Sequence, residues 1–258
     1  MYEELVQNLA NLAVAKENLL KKGLTKYLVL SLFAGLYVGL GIILIFTIGG
    51  VIGDSPYKRV IMGASFGIAL SLVLMAGSEL FTGNNMIMTV GLLEKKVSWL
   101  TTLKIWVYSY IGNLAGSVLA AWLFFMTGLG KGPVGEFILK TTELKMNAPF
   151  MDLFFKGILC NILVCLAVLT FIKLKEETAK LIMIFWCLFA FITSGFEHSI
   201  ANMTLLSIGL LLPHSEAISL IGFMNNLIPV TLGNIVGGAV VLGFGYWYVG
   251  NGKDKLAK

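Results

Sequence analysis

Apolar residues along this chain fall into six long runs, and polar residues interrupt two of these runs near their middles. The runs are Tyr27 to Val51, Val60 to Leu93, Leu103 to Leu129, Phe150 to Ile172, Leu181 to Leu212 and Leu227 to Val249. Each reaches the roughly 20 residues that a helix needs to cross a bilayer, so the pattern predicts six transmembrane helices. The second and fifth runs are longer than a straight span requires. GSELFTGNNM (Gly77 to Met86) interrupts the second and GFEHSIANMT (Gly195 to Thr204) the fifth. These predict two broken helices, unwound over Glu79–Asn85 and Gly195–Asn202. Ionisable side chains at membrane depth are costly, and irregular backbone there is tolerated only where it is buried in protein or lines a wet cavity. Broken spans in matching positions therefore point to a transport site.

Ahead of the runs, Leu5, Leu9, Leu12 and Leu19 recur at one or two helical turns, with Lys16, Lys21 and Lys22 among them. Residues 1–24 read as an amphipathic helix, lying on the membrane surface, packed beneath the bundle or simply solvated. Residues 25–250 form the transmembrane domain and 251–258 a short tail.

The two halves repeat. The pattern G-x-E-x-x-x-x-N occurs as Gly77, Glu79 and Asn84 and again as Gly195, Glu197 and Asn202, offset by 118 positions. IGNLAGS (Ile111 to Ser117) parallels LGNIVGG (Leu232 to Gly238) at an offset of 121. Three spans per half is an odd number, so the second half enters the membrane from the other side. The expected architecture is all-α, an inverted 3+3 repeat whose two broken loops meet at the membrane midplane.

Composition narrows the class further. The 258 residues are 57% hydrophobic and 13% charged, against about 25% charged in a soluble domain. The positive charge has no basic stripe with interleaved aromatics, which argues against nucleic-acid binding. Its distribution instead gives orientation. Thirteen Lys fall in the N-terminal arm, the connections after the second and fourth spans and the tail, against six Lys and Arg on the opposite side. Six spans with both termini cytoplasmic, in the cell inner (plasma) membrane, fit that split. The N-terminus is acidic where a signal peptide would be basic. Cys160, Cys165 and Cys187 lie inside apolar runs and read as small core residues. There is no H-E-x-x-H, no G-x-S-x-G and no paired aspartates, so neither an enzyme, a metal site nor a cofactor is expected. The Asn-Pro-Ala signature of a neutral-solute aquaporin pore is also absent.

ELFTGNN, ILCNILVCLAV (Ile158 to Val168), SGFEHSIANM and NLIPVTLGNIVGG (Asn226 to Gly238) resemble the formate/nitrite transporter family, over nearly all of the chain after the first 20 residues. Within it, the chain looks most like the clostridial hydrosulfide channel branch. The resemblance implies an aquaporin-like protomer in a homopentamer, with one pore per protomer for hydrosulfide, formate or nitrite.

His198 is the first candidate for the chemistry. A small anion entering an apolar constriction loses hydration at high cost, and a histidine can offer it a hydrogen bond or a proton near neutral pH. Residues alone leave both options open. By resemblance, Thr82 faces His198 from the first loop and shares a hydrogen bond with it. Leu80, Phe81, Phe66, Leu70 and Phe191 are singled out only by resemblance, as apolar constrictions; Phe191 lies seven residues before His198, on one helix face if the helix continues. Asn161 and Asn234 are costly in lipid, so they face protein or pore. Lys145, by resemblance, attracts anions to the vestibule. Glu79 and Glu197 would repel an anion as pore ligands. With Gly77, Gly195, Asn84 and Asn202 they read as loop scaffold that satisfies orphan backbone groups, and Glu197 could also orient the His198 ring.

Overall fold

A computed structural model describes residues 2–252, and every secondary-structure element in them is helical. Helix α1 (Tyr2–Lys21) precedes the first span, α2 (Leu24–Ile52). The second span is α3 (Lys58–Ser65) and α4 (Gly67–Met75), followed after a break by the half-helix α5 (Phe81–Leu93). Helix α6 (Trp99–Met126) crosses to α7 (Pro133–Met146), and α8 (Phe150–Lys173) returns. Helix α9 (Glu177–Ser194) breaks before the half-helix α10 (Ser199–Leu211), and α11 (Leu220–Ile235) is the last span. It continues through π-helical turns at Val236–Phe244 and Tyr248–Gly252. Six helical segments in the described residues are long and apolar enough to cross a membrane. The half-helices, at 13 residues each, are about 20 Å long and cannot cross alone.

Both breaks are shorter than the sequence predicts, and the first also begins earlier, while the second begins at Gly195 as expected. They cover Ala76–Leu80 and Gly195–His198, while Asn84, Asn85 and Asn202 are already helical. The physical reason is that the asparagines work from inside the first turn of each half-helix, where their side chains reach back to the break. Each break opens with a glycine in the left-handed region within its first two residues, Gly77 at φ 72° and Gly195 at φ 76°. The next amide closes the preceding helix: Ser78 N–H donates to the Val73 carbonyl and Phe196 N–H to the Phe191 carbonyl, both at 3.0 Å. This is a Schellman-type ending. The sequence also gave no sign of the joint at Phe66 between α3 and α4, and α7 reads in sequence as a mere connection. The tail from residue 253 lies outside the described residues.

Helix α6, 28 residues and about 42 Å long, carries the chain from the face where α1 packs to the opposite face, where α7 lies. Close helix contacts organise the halves. A Cβ on Gly116 of α6 would overlap the Leu32 carbonyl of α2, and one on Gly233 of α11 would overlap the Phe154 carbonyl of α8. Helix α1 does not float in the membrane surface. Leu5, Val6, Leu9, Ala10 and Ala13 are buried, most of them in a cluster with Met86, Ile87 and Val90 of α5.

Glu94, just after α5, knits this face together. It accepts hydrogen bonds from Gln7 Nε2 of α1 at 3.1 Å and from the Trp247 indole N–H at 2.9 Å. Trp247→Phe removes one donor and keeps a ring in place. We expect it to cost about 1.5–3 kcal/mol, the scale of a hydrogen bond to a charged group, seen as a lower unfolding midpoint in detergent. An unchanged midpoint would remove this bond from the interactions that hold the α1 face.

Candidate functional site

The two half-helices begin deep in the protein, and each start is tied down in the same way. Phe81 N–H, at the first position of α5, donates to Asn113 Oδ1 at 2.9 Å. Ser199 N–H, at the first position of α10, donates to Asn234 Oδ1 at 2.9 Å. The amide Nδ2 of Asn113 donates to the carbonyls of Ser31 and Glu79, and that of Asn234 to the carbonyls of Gly157 and Glu197. Each asparagine thus joins a break to two spans. With both amide hydrogens engaged, Asn234 is a tie at the break and has no spare donor for a substrate.

The two glutamates are 7% and 6% exposed, and both are neutralised locally. Glu79 accepts from Lys16 Nζ at 2.8 and 2.9 Å, from the Tyr27 hydroxyl at 3.0 Å and from Asn84 Nδ2 at 3.1 Å. Glu197 accepts from Lys145 Nζ at 2.5 Å and from Asn202 Nδ2 at 2.7 Å. Asn202 also donates to Asn226 Oδ1, and Asn226 donates to the Lys145 carbonyl. The Lys16–Glu79–Asn84 cluster on the α1 side therefore matches the Lys145–Glu197–Asn202 cluster on the α7 side. With a cation and an amide on each carboxylate, neither presents a bare negative charge to a passing anion. Lys16, Tyr27 and Asn226 were missed in the sequence. The signals were there, a lysine inside a leucine-spaced helix and an amide in an apolar run, but each has a blander reading in isolation.

His198 joins the second break to the first half-helix. It is 4% exposed and is the N-cap of α10, where Nδ1 accepts from the Ala201 backbone N–H at 3.1 Å. Nε2 lies 2.9 Å from Thr82 Oγ1 on α5. Because Nδ1 accepts, the neutral ring carries its proton on Nε2 and donates to Thr82. The Thr82 hydroxyl hydrogen is then free to donate onward. Both ring nitrogens are thus engaged by the Ala201 N–H and by Thr82, and the ring is oriented by these two contacts and not by Glu197, whose Oε2 binds Lys145 and Asn202.

Behind Thr82 stands Asn161 of α8. Its Nδ2 lies 3.2 Å from the Thr82 carbonyl, 3.3 Å from Asn85 Oδ1 and 2.6 Å from the Asn234 carbonyl. Cys165 Sγ approaches the same Thr82 carbonyl at 3.4 Å. Asn161 is placed to hold α5, α8 and α11 at a fixed separation.

The apolar candidates gather around this pair. Phe66, Leu70, Leu80, Phe81 and Phe191 are all buried in one cluster. The Phe66 and Phe191 rings meet edge-on at 5.4 Å, and Phe191 stacks on His198 at 6.1 Å. The helix carrying Phe191 ends at Ser194, so the turn through Gly195, not a continuous helix face, brings these two together. Phe81 packs edge-on against Tyr110 at 5.0 Å, whose hydroxyl bonds Thr231. A cavity of about 620 Å³ leads inward from the α7 face and reaches Phe191 and His198, with Lys145 and Glu197 in its wall.

Six spans, two facing half-helices and a buried polar pair at the foot of a cavity define a helical membrane transport protein. The family profile for Formate/nitrite transporter matches residues 3–248, and the chain belongs to that family. It is 51% identical to the nitrite transporter NirC of Escherichia coli (strain K12) over 219 residues, which cover 84% of this chain and 81% of the relative. A solved structure described as an FNT family ion channel superposes with a TM-score of 0.92 at 45% identity, over 95% of this chain and 98% of that one. A pentameric formate channel with formate bound gives 0.78 at 31% identity, over 89% and 98%.

Lys145→Ala would leave Glu197 buried without its cation. We expect a loss of up to about 3 kcal/mol, the lower end for a broken buried pair, because the Lys145 side chain keeps 20% of its exposure. Adding Glu197→Gln should recover most of the lost unfolding midpoint. Equal midpoints for the single and double variants would mean that the pair does not secure the break.

Proposed function

We propose that this protein is a channel of the inner (plasma) membrane that passes small monovalent anions of weak acids, with one pore in each protomer of a homopentamer and both termini cytoplasmic. The observation that carries this reading is the pair of half-helix N-termini joined by Thr82 and His198. Each helix start carries partial positive charge and suits an anion. The hydroxyl of Thr82, polarised by His198, offers a directed donor where hydration has been lost. The flanking carboxylates are already paired, so the field at this point favours negative charge.

The ring geometry supports conduction of the anion over delivery of a proton to it. To protonate an anion from Nε2, the imidazole must first hold a second proton on Nδ1. A proton there would expel the Ala201 N–H and break the cap of α10. Phe66, Leu70, Leu80 and Phe191 fit the role of apolar walls on either side of the pair, and Phe81 lines the turn beside Thr82.

Nitrite is the lead substrate, because the chain is half-identical to a nitrite transporter over most of its length. Hydrosulfide, to which the sequence resemblance led, is the second reading, and formate, carried by the related pentameric channel, the third. The homopentamer rests on that same solved relative.

Uptake of nitrite, hydrosulfide, formate and glycerol into proteoliposomes tests the reading. We expect anion uptake that accelerates under an inside-positive diffusion potential, and no glycerol uptake. Glycerol flux without anion flux would overturn the anion reading, and voltage-independent anion flux would overturn ion conduction. His198→Phe should abolish flux while the oligomer stays intact. Thr82→Val should lower the rate by roughly tenfold, the equivalent of one hydrogen bond of about 1.4 kcal/mol in the transition state.

A further inference from the structure

The cavity on the α7 face is lined by five cations, Lys58, Arg59, Lys140, Lys145 and Lys156, and three carboxylates, Asp54, Glu136 and Glu197. Two of the cations are matched: Lys58 Nζ lies 3.7 Å from Asp54, and Lys145 holds Glu197. Lys140 and Glu136 are exposed and sit one turn apart on α7. Among the described residues, neither Arg59 nor Lys156 has an ion pair or a side-chain hydrogen bond.

These two flank the second break. The Arg59 guanidinium, from α3, comes within 3.4 Å of where a Cβ would project from Gly195. Lys156, on α8 and half-buried, accepts a hydrogen bond at its carbonyl from Glu197 N–H at 3.3 Å. Both line the cavity beside residues 195–197, next to His198 and Phe191, and the one carboxylate of that segment already holds Lys145 and Asn202 on Oε2. The positive end of α10 adds to the same spot.

We propose that Arg59 and Lys156 form an anion-docking site ahead of the Phe66–Phe191 constriction, selective for planar two-oxygen anions over single-centre ones. This deepens the anion reading above and rests on it. The guanidinium presents two parallel N–H donors that match a nitrite or carboxylate edge, whereas an ammonium is a point charge. Hydrosulfide has one acceptor centre and engages only half of the fork. An oxyanion docked here exchanges part of its water shell for fixed donors before it meets the aromatic rings.

The test uses the full-length protein with Arg59→Lys, Arg59→Gln and Lys156→Gln, after size-exclusion chromatography shows native assembly. In proteoliposomes, Arg59→Lys should raise the half-saturating concentration of nitrite and formate by about three- to fivefold, as for an exposed charge contact. It should move hydrosulfide by less than about twofold and shift half-saturation more than maximal rate. Arg59→Gln and Lys156→Gln should weaken all three anions. Equal shifts for all three anions in Arg59→Lys would overturn the fork, and no shift in any variant would overturn the site. A second measurement does not depend on flux. Nitrite should raise the unfolding midpoint of the detergent-purified wild type, and Arg59→Lys should need about three- to fivefold more nitrite for the same rise. Identical nitrite dependence would overturn the docking site even if the protein conducts no anion, while a shift there without any anion flux would fault the transport reading and not the site.

Discussion

The constraint on which the rest of the structure depends is the satisfaction of backbone amides where two half-helices start deep inside the protein. An unpaired amide at that depth has no water to turn to and costs about 1–3 kcal/mol even by protein mutational scales. Asn113 and Asn234 answer this directly. Each accepts from the first N–H of a half-helix and donates to the carbonyl of the glutamate in the same break. The site geometry follows from these ties. Phe81 and Ser199 neighbour Thr82 and His198 in the chain, so fixing them also fixes where those two side chains meet, at 2.9 Å.

The carboxylates show the same economy of arrangement. A glutamate in each break could have spoiled an anion path. Instead each is enclosed by a lysine and an asparagine, so its charge is spent on holding a short helix, α1 or α7, against the membrane core. His198, at the end of the second break, and Thr82, in the first turn of α5, stand apart from this framework and meet at its centre.

Much of this was legible in the sequence because membrane depth makes polar residues conspicuous. The six spans, the two interrupted runs, the repeated Gly, Glu and Asn, and the candidates His198 and Thr82 all stood out against apolar surroundings. What stayed hidden was carried by residues that look ordinary one at a time. Lys16 reads as one more surface lysine, and only the fold shows it reaching Glu79. Helix α7 reads as a connection because its 14 residues are too few to span a bilayer and mix Lys, Glu and Thr among the apolar positions. The exact extent of the breaks was also overestimated, since a polar side chain in a first helical turn gives the same sequence signal as one in an unwound loop. Asn234 shows the limit of residue type as a guide: an amide in an apolar span is equally consistent with substrate binding and with tying down backbone, and only its partners distinguish the two.

The pairing of Lys16 with Glu79 changes what counts as half of this protein. Three spans and a break are not self-sufficient, because the counterion of each buried carboxylate is brought in from a short helix that never crosses the membrane. A unit cut at Leu24 would carry a naked charge in its interior, and one cut at Phe150 would do the same. Each set of three spans therefore depends on the short helix that precedes it, α1 for Glu79 and α7 for Glu197.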